Sequence, residues 1–159
     1  MMKQKIYIET SVISYLTARP SRNLVIAAHQ TSTSDFWQLI DQYEVFISDI
    51  VIQEASRGDA VQAKLRSQVI EEFPVLEIDD EIKKLAWEFI ENNIIPKKCP
   101  EDALHIAVAA ANGMDLIVTW NFKHINNPFI RKKIRQAVEE KGWNCPEICS
   151  PQELLGDEL

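Results

Sequence analysis

The chain has no CxxC pair: its three cysteines, Cys99, Cys145 and Cys149, are an odd number, and only three histidines accompany them. That scarcity excludes a disulfide framework and a fold knit together by zinc. Long apolar runs are missing as well. Lys3 and Lys5 lead straight into Ile6-Tyr7-Ile8, far short of a signal peptide or a membrane span, so the expectation is a cytoplasmic protein with no membrane contact. There is no excess of positive charge either. The formal charge is −7, which argues against a protein that simply coats nucleic acid through Lys and Arg. Work on a polyanion would need positive charge concentrated locally, and metal ions held by carboxylates can supply it. The tail Gly156-Asp157-Glu158-Leu159 lacks the lysine of an ER-retention signal and is read as solvated.

What is present is enough apolar material for one core: 159 residues at 46% hydrophobic content suit a single domain spanning 1–159. No repeat, low-complexity stretch or linker divides it. Short apolar runs without helical spacing occur at Ile6-Tyr7-Ile8, Val45-Phe46-Ile47, Val75-Leu76 and Leu116-Ile117-Val118, with a weaker one near Ile148; these read as buried strands. Helical spacing links Phe36, Leu39, Ile40 and Tyr43; Ile82, Leu85, Ala86 and Phe89; Ala103, Ile106, Ala107 and Ala110; and Ile130, Ile134, Ala137 and Val138. Strands alternating with helices imply a three-layer α/β/α fold around a parallel sheet of four to five strands. Ser48 and Asp79 are candidate helix caps, Gly58 a helix end, and Cys99-Pro100 a helix start.

In such sheets ligands bind outside the carboxyl ends of the strands, so polar residues there come first. Glu9 directly follows Ile6-Tyr7-Ile8; it is either an anion favoured by the next helix's dipole or a functional acid. Asp102, with Glu101 beside it, opens the nearly all-apolar helix Ala103 to Ala111, where the same two readings apply. Glu54 sits near the end of a short helix, where the dipole disfavours it, so it is a surface residue compensated by Arg57 or a functional one. Asn121 follows the fourth strand, as an Asx turn or as a ligand. Together Glu9, Glu54, Asp102 and Asn121 are the oxygen set that Mg²⁺ or Mn²⁺ requires, and phosphodiester hydrolysis is the chemistry implied. His105, three residues after Asp102, reads as a core histidine bonded to backbone. The basic stretch Arg131, Lys132, Lys133 and Arg135, with Lys123 and then Arg19 and Arg22, is a solvated face or the local candidate for RNA phosphate contacts.

Four segments in this order resemble the PIN-domain ribonucleases, particularly the VapC-type toxins of toxin–antitoxin pairs. They are Ile6-Tyr7-Ile8-Glu9-Thr10-Ser11, Ile50-Val51-Ile52-Gln53-Glu54, Asp102-Ala103-Leu104-His105-Ile106-Ala107 and Thr119-Trp120-Asn121-Phe122. The resemblance implies a PIN-like fold, a metal-dependent endoribonuclease, Glu9, Glu54, Asp102 and Asn121 as catalytic and metal-binding residues, a small antitoxin as partner, and a homodimer. Two positions depart from the common pattern: Glu9 stands where Asp is usual and must retract its extra methylene to hold a metal at about 2.1 Å, and Asn121 is neutral. Asp115 precedes the fourth strand and is expected at the opposite edge. The rival reading is a catalytically silent PIN-like module that binds RNA or protein. A dinucleotide site is excluded by Glu9-Thr10-Ser11, which has no glycine for pyrophosphate, and an aspartyl phosphatase by Glu9 itself.

Overall fold

A computed structural model describes residues 2–158; the reading of the tail as solvated concerns side chains of 157–159, outside the described residues. Five strands, β1 (Lys5–Ile8), β2 (Glu44–Ser48), β3 (Val75–Leu76), β4 (Leu116–Val118) and β5 (Glu147–Cys149), pair in parallel in the order β3-β2-β1-β4-β5. Ile6 lies opposite both Val45 and Leu116, and Leu116 opposite Glu147. Seven helices connect them: α1 (Thr10–Thr17) and α2 (Leu24–Trp37) before β2, α3 (Asp49–Ala55) and α4 (Ala60–Ile70) before β3, α5 (Asp80–Glu91) and α6 (Pro100–Ala111) before β4, and α7 (Pro128–Glu139) before β5. None among the described residues is long and apolar enough to cross a membrane.

The chain winds from β1 outward through β2 to β3, returns to β4 beside β1, and winds outward again to β5. With right-handed crossovers the helices of the two directions cover opposite faces, α1–α4 on one and α5–α7 on the other. Both faces of the central strands are therefore dry: Ile6, Tyr7, Ile8, Ile117 and Val118 have no exposed surface, which is why they read as unbroken apolar runs. On α6, Ala103, Ile106, Ala107, Val108 and Ala109 are equally inaccessible. Helix α5 buries Ile82, Leu85, Ala86 and Phe89, the face its spacing predicted. Between β1 and β4 the winding direction reverses, and a crevice opens outside their carboxyl ends.

Two helical readings need correction. The Phe36–Tyr43 pattern is not one helix: α2 ends at Trp37, and a 3₁₀ turn covers Ile40–Gln42. Asn23, accepting from the N–H groups of Val25 and Ile26, starts α2 well upstream, where Leu24 and Val25 are exposed and leave no periodic signal. Helix α4 was not expected, and Ile70 is its only buried residue. Ser48 does hold the N-cap position of α3 but makes no side-chain cap bond; its hydroxyl pairs with Tyr7 instead.

Candidate active site

Glu9 stands at the reversal point. Its N–H bonds Val118 O at 3.0 Å, so the sheet fixes its backbone. Its carboxylate turns back over α1, Oε2 accepting from Ser11 N at 3.1 Å and Oε1 from the hydroxyls of Ser11 and Thr119, the latter at 2.6 Å. It is thus the N-cap of α1 and almost wholly buried. A buried carboxylate with three donors is well satisfied.

Glu54 reaches the same edge from the last turn of α3. Its two hydrogen bonds, from Thr10 Oγ1 at 2.8 Å and with His105 Nε2, both fall on Oε1, so Oε2 takes none. Burial pushes its carboxyl up, but the His105 hydrogen bond and charge, Thr10 and Arg57 outweigh that, and the net effect is downward. Arg57 itself pairs with Glu101 at 3.7 Å.

His105 occupies the position between the acids. Its burial agrees with a core histidine, but its partners do not: instead of backbone, Nδ1 meets Tyr7 Oη at 2.6 Å and Nε2 meets Glu54, with Glu9 Oε2 4.0 Å away. Burial disfavours its cation, yet the Glu54 bond and the charges of Glu9, Glu54 and Asp102 outweigh burial and raise its pKa. Burial, above all, raises the Tyr7 phenol well above its ordinary range, so it stays protonated. His105 Nδ1, Tyr7 Oη and Ser48 Oγ thus form a buried chain of hydrogen bonds, 2.6 and 2.8 Å long. Every buried side-chain N and O among the described residues has a partner.

Asp102, in the first turn of α6, accepts from Asn121 Nδ2 at 3.1 Å and pairs through Oδ2 with His124 Nδ1 at 3.0 Å. Asn121 closes an Asx turn, its Oδ1 accepting from His124 N at 3.0 Å. That oxygen has a second lone pair with which it could meet an ion, while the amide N–H orients Asp102. Asp115 lies at the other edge, accepting from Lys5 N at 2.8 Å.

The residues fit a hard divalent cation. Oxygens of Glu9 and Glu54 lie within 4.8 Å of each other, beside the Nε2 of His105, and a modest contraction brings them onto one ion at about 2.1 Å per oxygen. Asp102 stands outside that group: its carboxylate clusters with Cys99 and His124 instead.

The basic residues are spread over three clefts, and Lys133 shares one of them with His124, the partner of Asp102. Arg135 is held by Glu139 at 3.5 Å and Glu147 at 3.0 Å, and Arg131 donates to Asn126. Arg131, Lys132 and Arg135 line a cleft of about 350 Å³ beside β5, Lys133 another, and Arg19 a third. Lys123 and Arg22 are exposed.

The PIN domain family matches residues 6–129. The chain belongs to that family. Two solved structures share the fold of this PIN domain. VapC20 of Mycobacterium tuberculosis, a toxin that cleaves the sarcin-ricin loop, superposes with a TM-score of 0.58 at 16% identity, over 75% of this chain and 92% of its own. VapBC2 of Rickettsia felis, solved bound to a DNA fragment from its promoter, gives 0.58 at 15% identity, over 92% and 98%. At such identities the likeness is one of fold. No curated protein matches by sequence.

The His105–Glu54 pair makes the metal-free PIN domain pH-sensitive. The raised imidazolium contributes stability that is complete below the unfolded value of about 6.5 and is lost as pH climbs through the folded one; Glu54 contributes above about 4.5 and loses its share as pH falls through its lowered value. Thermal unfolding in EDTA is expected to peak between those limits and to weaken above pH ~6.5 by up to about 1.4 kcal/mol per unit. A flat profile there in wild type would mean a neutral His105.

Proposed function

We propose that this PIN domain is a divalent-metal-dependent endoribonuclease, the toxin of a toxin–antitoxin pair acting in the cytoplasm. The observation that carries the reading is the meeting of Glu9 and Glu54 at His105, with Asp102 one turn earlier on the same helix, at the winding reversal of a PIN-family sheet. Glu9, Glu54 and Asp102 would hold Mg²⁺ or Mn²⁺, which when bound supplies activation of water and charge stabilisation at a phosphodiester. The chain's own residues do the rest. Ser11 and Thr119 aim the Glu9 carboxylate, and Asn121 and His124 aim Asp102. The His105 cation keeps the two glutamates from repelling each other before an ion arrives.

RNA as substrate and a small antitoxin as partner are supported by the fold shared with VapC20, which cleaves the sarcin-ricin loop, and with VapBC2. Leu24, Val25 and Phe129 are exposed apolar residues, surface of the kind that an antitoxin or a second subunit covers. A silent binding module is the second reading; in its favour, three donors already occupy the Glu9 carboxylate. Incubating the purified protein with RNA separates the two. Cleavage in Mn²⁺ or Mg²⁺, absent in EDTA and leaving 5′-phosphate and 3′-hydroxyl ends, is the expected outcome; intact RNA in all conditions, or cleavage indifferent to EDTA, contradicts it.

The basic stretch offers a separate expectation. Lys132 and Lys133 are exposed on α7, and replacing both by Ala should weaken RNA binding alike across sequences and lower its salt slope by about 1 to 2. An unchanged slope would make that face merely solvated.

A further inference from the structure

One side-chain cluster at this edge shares only Asp102 with the oxygen set. Cys99, Asp102 and His124 each offer one ligand atom, and those three atoms lie within 4.8 Å of one another. We propose that Cys99, Asp102 and His124 bind a borderline-soft divalent cation of the zinc class, and that its occupancy withdraws Asp102 from the neighbouring oxygen-lined set. Sequence spacing hides the cluster, because two donors sit at the start of α6 and the third in the loop after β4.

The donor chemistry selects the ion. Thiolate, imidazole and carboxylate are a zinc set, three protein ligands with a fourth position left open, whereas Mg²⁺ disfavours sulfur. Asp102 and His124 are already 3.0 Å apart, and a contraction of at most about 1.5 Å brings Cys99 to them at the usual tetrahedral Zn–S, Zn–N and Zn–O lengths. The pocket is neither sealed nor washed out: the His124 and Asp102 side chains are 14% and 17% exposed, Cys99 is half-buried, and His124 opens onto a cleft of about 560 Å³ beside Ile95 and Lys97. Asn121 already supplies the outer support such a site needs, fixing Asp102 with its amide N–H and the His124 backbone with its oxygen. On binding, the Cys99 thiol gives up its proton to solvent and His124 turns a proton-free nitrogen to the ion, its single N–H moving to the other ring nitrogen, and metal–sulfur and metal–nitrogen bonds form.

The two donor sets share Asp102, so a zinc-class ion and the hard ion of the proposed nuclease compete for it. Only this competitive consequence rests on the nuclease reading; binding itself does not. The test is titration of EDTA-stripped full chain with Co²⁺ under a non-thiol reductant. Expected are the visible bands of tetrahedral Co²⁺ and sulfur-to-cobalt charge transfer in the near ultraviolet, saturating at one equivalent. Cys99→Ser should lose the charge-transfer band and bind at least about tenfold more weakly while unfolding at the same temperature, since Ser suits that N-cap position. One equivalent of Zn²⁺ should in turn suppress Mn²⁺-dependent cleavage by wild type but not by Cys99→Ser. Cobalt bands that vanish in Cys99→Ser uphold the site even if no RNA is cut. Absent bands, or bands that survive the substitution, overturn it even if cleavage is metal-dependent.

Discussion

Asp102→Asn is expected to lower RNA cleavage in saturating Mn²⁺ by about 10³-fold, the loss of roughly 4 kcal/mol of transition-state stabilisation. The substitution is isosteric, and the side chain keeps some contact with water at 17% exposure, so the fold tolerates it. What it removes is one of three carboxylates of the oxygen set and the partner of His124. Asn121 would then face a second amide where it now donates to an anion. Initial rates on a defined RNA measure the loss, with thermal unfolding in EDTA confirming an intact fold. Cleavage within tenfold of wild type would exclude Asp102 from the reacting centre.

His105→Gln is expected to be the most destabilising of the site substitutions in the absence of metal. His105 is fully buried and joins Tyr7 to Glu54. Removing it takes a bond from the Tyr7 hydroxyl and leaves Glu9 and Glu54 with no cation between them. Breaking a buried pair from one side costs about 3–5 kcal/mol; Glu54, 23% exposed, recovers part of that from water, so about 2–4 kcal/mol remains. In a domain of this size that is a fall of about 5–15 °C in unfolding temperature. Mn²⁺ should restore more stability to this variant than to wild type, because the ion then takes the place of the imidazolium. A change below about 0.5 kcal/mol would mean that the ring merely fills space.

How far the sequence could be read depended on where each group's partners lie along the chain. The strands were legible because burial on both faces leaves continuous apolar runs, and α5 and α7 because each buries one stripe, Ile134 and Val138 on the latter. Helix α4 was illegible because it buries almost nothing, and the start of α2 because its apolar residues face outward. Strand and helix ends exposed Glu9, Glu54, Asp102 and Asn121 as candidates. What linked them stayed hidden: His105 sits in an alanine-rich helix that reads as core, and its partner Tyr7 lies inside an apolar strand 98 positions away. A tyrosine in a fully buried strand, needing a partner for its hydroxyl, was the available signal. Two acids at one edge, Glu9 and Asp102, should by charge alone repel each other without metal, and an amide at either should then leave the metal-free fold as stable or more so. For Glu9 the structure reverses this, because its carboxylate caps α1 and attracts His105. Glu9→Gln is now expected to destabilise the metal-free protein by about 1–3 kcal/mol.

The central claim, that these carboxylates hold a divalent ion, is tested most directly by thermal unfolding of wild type, Glu9→Gln and Asp102→Asn, each in EDTA and in Mn²⁺. An ion that binds only the folded state stabilises it by about 2.7 kcal/mol at a hundredfold excess over its dissociation constant. Wild type should show a rise of that order over its EDTA value. Both amides, whatever their metal-free stability, should lose most of it. A wild-type protein that unfolds at the same temperature with and without Mn²⁺ would contradict the account and leave the acids of this edge as caps and pair members.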